Sequence, residues 1–378
     1  MKIAIYGGAF NPVHNEHINI VREAINFLGL DKIIIIPTNI SPHKSGQISA
    51  HPKDRLALCR LAFSCFEQAE ISDEELKRGG VSYSYVTCRA IRRRYPDAEI
   101  YLLIGGDMLA TFHLWKNPED ILKSVTLAVC ARGDDGTDGA IRAFNSRFKR
   151  DVVKLNYVGK AVSSTCVRTL AALGGDVSEY VPAAVEKYMR EHALYARPDL
   201  RAVKNYLSES RWQHTLRVAV CACENCRKFN VPEYDALTAA ALHDCAKNLD
   251  RSAPELENFT PPEGVPAPVH HQYSGAYMAR LTFGVTDKNI INAIKYHTSA
   301  RPCMSDLEKL IYLADMLEEG RDFDGVETLR KAFSKGLDDG MEAALSLQLK
   351  YLESAGKPIY PLTLKAYKYL KENKNDQS

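Results

Sequence analysis

No stretch of this chain comes near the ~20 consecutive apolar residues that a helix needs to cross a bilayer. Its longest apolar runs, such as residues 33–37, are the length of a strand. The first eight residues lack the long apolar core and small-residue cleavage site of a secretory signal, and read as a strand running into a turn. Charge of one sign is missing too. Lys and Arg number 49 against 47 Asp and Glu, a formal net charge of +2, which excludes the broad basic field of a general nucleic-acid binder but leaves local basic clusters to hold phosphates. There is no internal repeat and no low-complexity segment. The ten cysteines are scattered through a chain of 378 residues that needs no disulfide staples, so they are read as reduced. Cys221, Cys223 and Cys226 fall short of the four ligands of a structural zinc site and are read as packed helix residues. These absences point to a cytoplasmic protein whose partners are small molecules rather than nucleic acid or membrane; homo-oligomerisation stays open.

What is present is a chain too long for one ordinary core, so two domains are expected. In the first half, residues 2–6, 32–36, 100–104 and 125–130 are short, almost wholly apolar runs. Helical periodicity separates them, as at residues 18–27. Such alternation implies an α/β domain with a parallel sheet covered on both faces. From Leu200 onward the pattern changes to amphipathic stretches of helix length at residues 200–229, 236–248, 289–296 and 307–317, punctuated by Pro254, Pro261, Pro262, Pro266 and Pro268. That is an all-α pattern. The shift at residues 195–199 sets the expected domains at 1–196 and 197–372, with 373–378 a disordered polar tail.

Chemistry is concentrated in two constellations. The first is Gly7-Gly8-Ala9-Phe10-Asn11-Pro12-Val13-His14-Asn15-Glu16-His17, which leaves the first strand and enters a helix. Glycines at a strand end let backbone approach a ligand, and a helix N-terminus offers N–H groups and a positive dipole to phosphate. His14 and His17, three apart on a first helical turn, can face one ligand there. Further along, Ser163, Ser164 or Thr165 can cap a helix while presenting hydroxyls to phosphate, and Arg168 one turn in has a fork for pyrophosphate.

Gly-Gly-x-Phe-x-Pro-x-His-x-x-His resembles the signature of the nucleotidyltransferase superfamily, specifically the bacterial nicotinate-nucleotide adenylyltransferases. Family members usually carry glycine before the second histidine; here it is Glu16. Thr38 through Lys44, Ser82-Tyr83, Asp107 with Trp115, and the Ser163 to Arg168 helix start match further motifs in the family's order. The resemblance covers about the first 195 residues. It implies a Rossmann-like sheet, ATP with Mg²⁺, and nicotinate mononucleotide. By that likeness His14, His17, Lys44 and Arg168 serve the triphosphate, while Gly7, Gly8, Ala9, Phe10, Ser163, Ser164 and Thr165 line the nucleotide. Asp107 contacts the adenosine ribose or the metal. Thr38, Ser82 and Tyr83 lie on the substrate side, and Trp115 either stacks on the pyridine ring or belongs to the core.

The second constellation is His214, His243-Asp244, His270-His271, His297 and Asp315. Histidine and carboxylate together suit a transition metal. Asp244 lies within an apolar helical run and must be paired or bound to something. Lys247, a turn later, suits a supporting or phosphate-binding role. In order and flanking residues these resemble the HD-domain metal phosphohydrolases, closest to the YqeK-type symmetrical diadenosine tetraphosphate hydrolases, over roughly residues 198–372. The resemblance implies an iron site of one or two ions, although the ligands suit manganese or zinc as well. Counting back from Ser274-Gly275-Ala276 prefers His271 to His270 as ligand. Arg321 is assigned to substrate phosphate. The expectation is a bifunctional enzyme that makes deamido-NAD and cleaves diadenosine tetraphosphate to ADP. The alternatives are a non-catalytic sensing module in the second half, or a different mononucleotide acceptor in the first.

Overall fold

The apolar runs of the first half pair side by side in a computed structural model that describes residues 1–40, 48–132, 136–159 and 162–375. In chain order the elements are β1 (Lys2–Gly8), α1 (Asn15–Leu28), β2 (Lys32–Pro37), α2 (Pro52–Phe63), β3 (Ala69–Ile71), α3 (Glu74–Arg78), α4 (Ser84–Arg94), β4 (Glu99–Gly105), α5 (Gly106–Ala110), α6 (Pro118–Ser124), β5 (Thr126–Arg132), α7 (Thr137–Phe148), β6 (Val153–Gly159), α8 (Ser164–Leu173) and α9 (Ala183–Glu191). The strand order is β3-β2-β1-β4-β5-β6, with every neighbouring pair parallel. Ile3, Ile5, Ile34, Ile36, Leu102, Leu127 and Val129 fill one face. The intervening Ala4, Ile33, Ile35, Leu103 and Ala128 are buried on the other. A sheet covered on both sides needs apolar side chains at every position, which is why its strands read as continuous runs instead of alternating ones.

Two strands carry no such run. β3 has three residues, and β6 (Val-Lys-Leu-Asn-Tyr-Val-Gly) alternates because it is an edge strand. The strand order reverses between β1 and β4, so Gly7-Gly8 and Gly105 end beside one another. Ligands of open α/β sheets bind outside the strand ends at such a switch point.

The second unit is helical: α10 (Pro198–Arg201), α11 (Glu209–Cys226), α12 (Glu233–Leu242), α13 (His270–Leu281), α14 (Lys288–Tyr296), α15 (Asp306–Leu317), α16 (Val326–Lys335), α17 (Leu337–Ser354) and α18 (Pro361–Asn375). Ala219, Ala222, Ala240, Ile294, Leu310 and Leu345 are among its buried core residues. The helix expected over residues 200–229 is broken. Leu207 and Ser208 are extended, and the Ser208 hydroxyl accepts from the Arg211 N–H to cap α11. The run expected over 236–248 also differs: α12 stops at Leu242 and residues 243–248 form turns. His243-Asp244 therefore stands just past a helix end, not within the helix.

By contacts the chain divides into one unit of Met1–Ser45, Ser49–Arg168 and Asp176–Leu194, and another of Gly46–Ile48, Thr169–Gly175 and Tyr195–Ser378. Among the described residues no helix is long and apolar enough to cross a membrane.

Candidate active sites

In the first unit the chain turns sharply after β1. Phe10 adopts a positive φ of 44° and Asn11–Pro12 is cis. The buried Phe10 ring packs on Tyr6, His17 and Phe63, with centroids at 5.4, 5.1 and 6.0 Å. It also lies over Gly8, where a Cβ would meet it at 3.1 Å. Close approach thus demands glycine at Gly8, whereas a Cβ at Gly7 would meet open space. Phe10 is a packing residue that shapes the loop. The carbonyls of Ala9 and Thr38 are held by Arg55, whose buried guanidinium donates to Ala9 O at 2.7 Å, Thr38 O at 2.6 Å and Asn39 O at 3.2 Å. The Thr38 N–H donates to Gly8 O at 2.9 Å. Arg55 escaped sequence reasoning because nothing marks a helix arginine as facing inward.

His14 caps α1 and His17 is its third residue. The His14 backbone N–H donates to His17 Nδ1 at 3.1 Å, so neutral His17 carries its proton on Nε2 as a donor. The two rings lie 3.8 Å apart. Glu16, the departure from the family pattern, is buried, and its carboxylate accepts from Tyr157 Oη at 2.7 Å and Asn19 Nδ2 at 3.1 Å. Burial and this contact push the Tyr157 hydroxyl up to about 12, so it remains a donor. The extra carboxylate is thereby engaged by the edge strand.

The start of α8 is laced to the same loop. Ser163 accepts from the Cys166 N–H at 3.0 Å as the cap, and Ser164 Oγ donates to Pro12 O at 2.8 Å. Arg168, 3% exposed, donates to Asn11 O at 2.7 Å and to Thr165 Oγ1 at 3.1 Å. The same hydroxyls and the Arg168 fork, expected to serve phosphate, also cap α8 and fix the loop that carries His14, and the backbone N–H groups of the first turn of α8 suit phosphate as well. Asp107 stands at the end of β4, with Oδ1 2.5 Å from where a Cβ on Gly105 would be. Ser82 is buried, accepting from the Asn39 N–H at 2.9 Å, and the Tyr83 ring lies under Lys116 Nζ at 4.4 Å. Trp115 is half-buried against Phe112, centroids 5.2 Å apart, as part of the aromatic packing under the sheet. Lys44 lies outside the described residues.

In the second unit the dispersed ligands converge. His271 Nε2 and His297 Nε2 lie 3.4 and 3.3 Å from Asp244 Oδ1, and 3.2 Å from each other. His243 Nε2 is 3.6 Å from Asp244 Oδ2, and His214 Nε2 is 2.9 Å from Asp315 Oδ1. Two sets, His214 with His243 and Asp244, and Asp244 with His271 and His297, each place ligand atoms within 4.8 Å. They share Asp244. His271 belongs to this cluster; His270 instead pairs with Arg251 and donates to Val265 O.

The surroundings fix each imidazole. His243 Nδ1 and His297 Nδ1 donate to Ala240 O and Ile294 O, both at 2.7 Å, which turns their Nε2 lone pairs inward. His214 Nδ1 lies 3.0 Å from Glu318 Oε1, which turns its Nε2 inward to within 2.9 Å of Asp315 Oδ1. Gln272 Oε1 accepts from the N–H groups of Thr298 and Ser299, holding the segment after His297 to α13. Burial drives His243 down to about 4 and His271 to about 3, keeping both neutral at pH 7. Burial opposes charge on Asp244, but His243, His297 and Lys247 outweigh it and hold that carboxyl well below its usual range.

His243 Nε2 and Asp244 Oδ1 are buried polar atoms without a hydrogen-bond partner among the described residues. Such orphans amid converging lone pairs fit a divalent transition metal. Arg211 Nη1 supports Asp244 Oδ2 at 3.0 Å, Lys247 Nζ is 2.9 Å from His271 Nε2, and Arg321 Nη2 is 2.6 Å from Asp315 Oδ1. Sequence reasoning missed Glu318 and Arg211 as supports. The one signal for Glu318 was its three-residue spacing from Asp315. Beside Lys247 and His271 opens a cleft of about 410 Å³ walled by Leu256, Phe259 and Pro261.

Comparison with known proteins agrees with this division. Residues 5–170 match the cytidylyltransferase-like family and residues 211–320 the HD domain family. A Mycoplasma pneumoniae protein named as a probable nicotinate-nucleotide adenylyltransferase/Ap4A hydrolase is 32% identical, the alignment covering 98% of this chain and all of that one. A probable nicotinate-nucleotide adenylyltransferase of Clostridium tetani is 33% identical over 51% of this chain and 98% of its own length. A crystal structure of a predicted HD superfamily hydrolase involved in NAD metabolism from Clostridium acetobutylicum is 30% identical, covering 46% of this chain and 96% of that one, with a TM-score of 0.42.

Proposed function

The chain belongs to the family of nicotinate-nucleotide adenylyltransferase/Ap4A hydrolases, and we propose that it carries the two activities on its two units. Residues 1–196 transfer AMP from ATP to nicotinate mononucleotide, giving deamido-NAD and pyrophosphate. Residues 197–372 hydrolyse diadenosine tetraphosphate to two ADP. The enzyme works in the cytoplasm.

In the transferase the acceptor phosphate is already an anion at pH 7, so it attacks the α-phosphorus of ATP without a protein base. Catalysis is alignment and charge stabilisation. His17 Nε2–H, with His14 beside it, donates to the triphosphate, which arrives with Mg²⁺. Arg168 and Lys44 add positive charge to the triphosphate, Ser164 and Arg168 also hold the loop after β1, and Asp107 faces the adenosine side. Thr38, Ser82, Tyr83 and Trp115 frame the acceptor side.

In the hydrolase His214, His243, Asp244, His271, His297 and Asp315 would hold the metal, which we propose is iron, with Asp244 common to both ligand sets. When bound, the metal supplies Lewis acidity toward the phosphoanhydride and its attacking water. The chain's own groups orient the ligands from behind, and Lys247 and Arg321 bring cations to the substrate phosphates. The observation that carries this reading is the pair of orphaned atoms, His243 Nε2 and Asp244 Oδ1, buried in a ring of imidazole lone pairs. Purified full-length protein tests it: elemental analysis for metal, pyrophosphate release with nicotinate against nicotinamide mononucleotide, and ADP formation from diadenosine tetraphosphate. Protein that binds metal but forms no ADP would leave the second unit a sensing module. Equal or faster turnover of nicotinamide mononucleotide would sink the assignment of acceptor.

A further inference from the structure

Glu16 is the second residue of α1 and stands between His14 and His17 in the chain. An acid in the first turn of a helix ordinarily lies in solvent and gains from the positive end of the helix dipole. Here it is 4% exposed, and its side chain reaches the edge strand β6. Oε2 accepts from Tyr157 Oη at 2.7 Å, and Oε1 accepts from Asn19 Nδ2 at 3.1 Å. Gly159 explains how a carboxylate fits there. Tyr157 and Gly159 are two apart on β6, so they share a face of the sheet. A Cβ on Gly159 would stand 2.9 Å from Glu16 Oε2 and 3.3 Å from the Tyr157 ring. The glycine therefore serves space, leaving a notch that the carboxylate fills. Four residues on in the chain, Ser163 caps α8. Burying a carboxylate among neutral donors is a poor choice for stability alone, because an apolar side chain would fill the notch without the cost of desolvating a charge.

Resting on the transferase reading above, we propose that Glu16 is a positioning residue for AMP transfer: lodged in the Gly159 notch and bonded to Tyr157, it fixes the histidine turn of α1 against the strand that leads to α8, and so sets the spacing of the two sides of the triphosphate site. Ser164 and Arg168 already tie α8 to the carbonyls of Pro12 and Asn11. Both of those contacts lie before His14 in the chain. Glu16 adds one after it, so the turn is held on both sides of the imidazole. Glu16 touches no substrate in this account and acts through the placement of His14 and His17. Placement matters because transfer depends on alignment, and a displacement of about 1 Å costs up to about a hundredfold in rate.

The test measures pyrophosphate release by the full chain with ATP, Mg²⁺ and nicotinate mononucleotide. Glu16→Ala empties the notch and is expected to lower kcat by about 10–100-fold while KM for the mononucleotide moves less than about twofold, the pattern of lost alignment and not of lost acceptor binding. Glu16→Gln keeps an acceptor for Tyr157 and recovers most of that loss. Tyr157→Phe lowers kcat as Glu16→Ala does, and the double variant is no worse than the poorer single one. Gly159→Ala pushes the carboxylate out of the notch, so it lowers kcat in the parent but not in the Glu16→Ala background. Thermal unfolding shows that each variant is folded at the assay temperature; should Glu16→Ala not fold, Tyr157→Phe, which removes one hydroxyl, decides alone. An unchanged kcat in the folded variants, or a Glu16→Gln loss equal to that of Glu16→Ala, overturns the proposal and leaves the transferase intact. No pyrophosphate release by the parent overturns the transferase reading and this one with it.

Discussion

His214 Nδ1 and Glu318 Oε1 meet at 3.0 Å across 104 positions of sequence. Glu318 is 2% exposed and also accepts from Arg217 Nε at 2.5 Å and from the Gly320 N–H at 2.6 Å. A carboxylate so restrained fixes the ring plane and tautomer of the imidazole it faces. Glu318→Gln should therefore weaken metal affinity by about 10–100-fold, the usual effect of losing an outer partner of a metal ligand. Competition titration against a chelator measures it, and an unchanged affinity would show that His214 is oriented by something else.

Asp244 is common to both ligand sets, so its loss should exceed that of an outer partner. Asp244→Asn is expected to lower ADP formation by more than about a hundredfold while pyrophosphate release by the first unit is untouched. Both rates can be read on one preparation. A parallel fall in the two would mean that the substitution unfolds the chain.

The buried imidazoles make the metal-free second unit sensitive to acid. His243 and His271 fall from an ordinary 6.5 to about 4 and about 3, burial being the main cause. Above pH 6.5 both are neutral folded or unfolded and contribute no pH dependence. Below it the unfolded chain takes up protons that the folded unit resists, so stability declines by about 1.4 kcal/mol per pH unit for each ring until the folded values are reached. Urea unfolding of chelator-treated protein at pH 7, 6 and 5 should follow that slope; a flat profile would contradict burial of the two rings.

Arg55 ties the loops after β1 and β2 through three carbonyl oxygens. Arg55→Met keeps the stem and leaves those carbonyls unmatched. The first unit should lose about 2–5 kcal/mol, with a higher KM for ATP and unaltered hydrolysis by the second unit. Thermal unfolding followed through both activities checks it. Selective loss of the hydrolase would refute the assignment.

The sequence by itself determined that an α/β unit precedes an all-α one, because a sheet buried on both faces and a helix buried on one leave local periods in the chain. It also determined the order of the metal-type side chains, which resemblance could recognise. It did not reveal β6, whose edge position lets polar residues alternate with apolar ones, nor the break at Leu207-Ser208, where a cap overrides helical periodicity. Only the tertiary structure decided that Ser164 and Arg168 secure the loop carrying His14, that Arg55 faces inward, and that Glu318 stands behind His214. Those facts are hydrogen bonds between residues far apart in the chain. They depend on the direction of single side chains, which no local pattern of apolar and polar residues encodes.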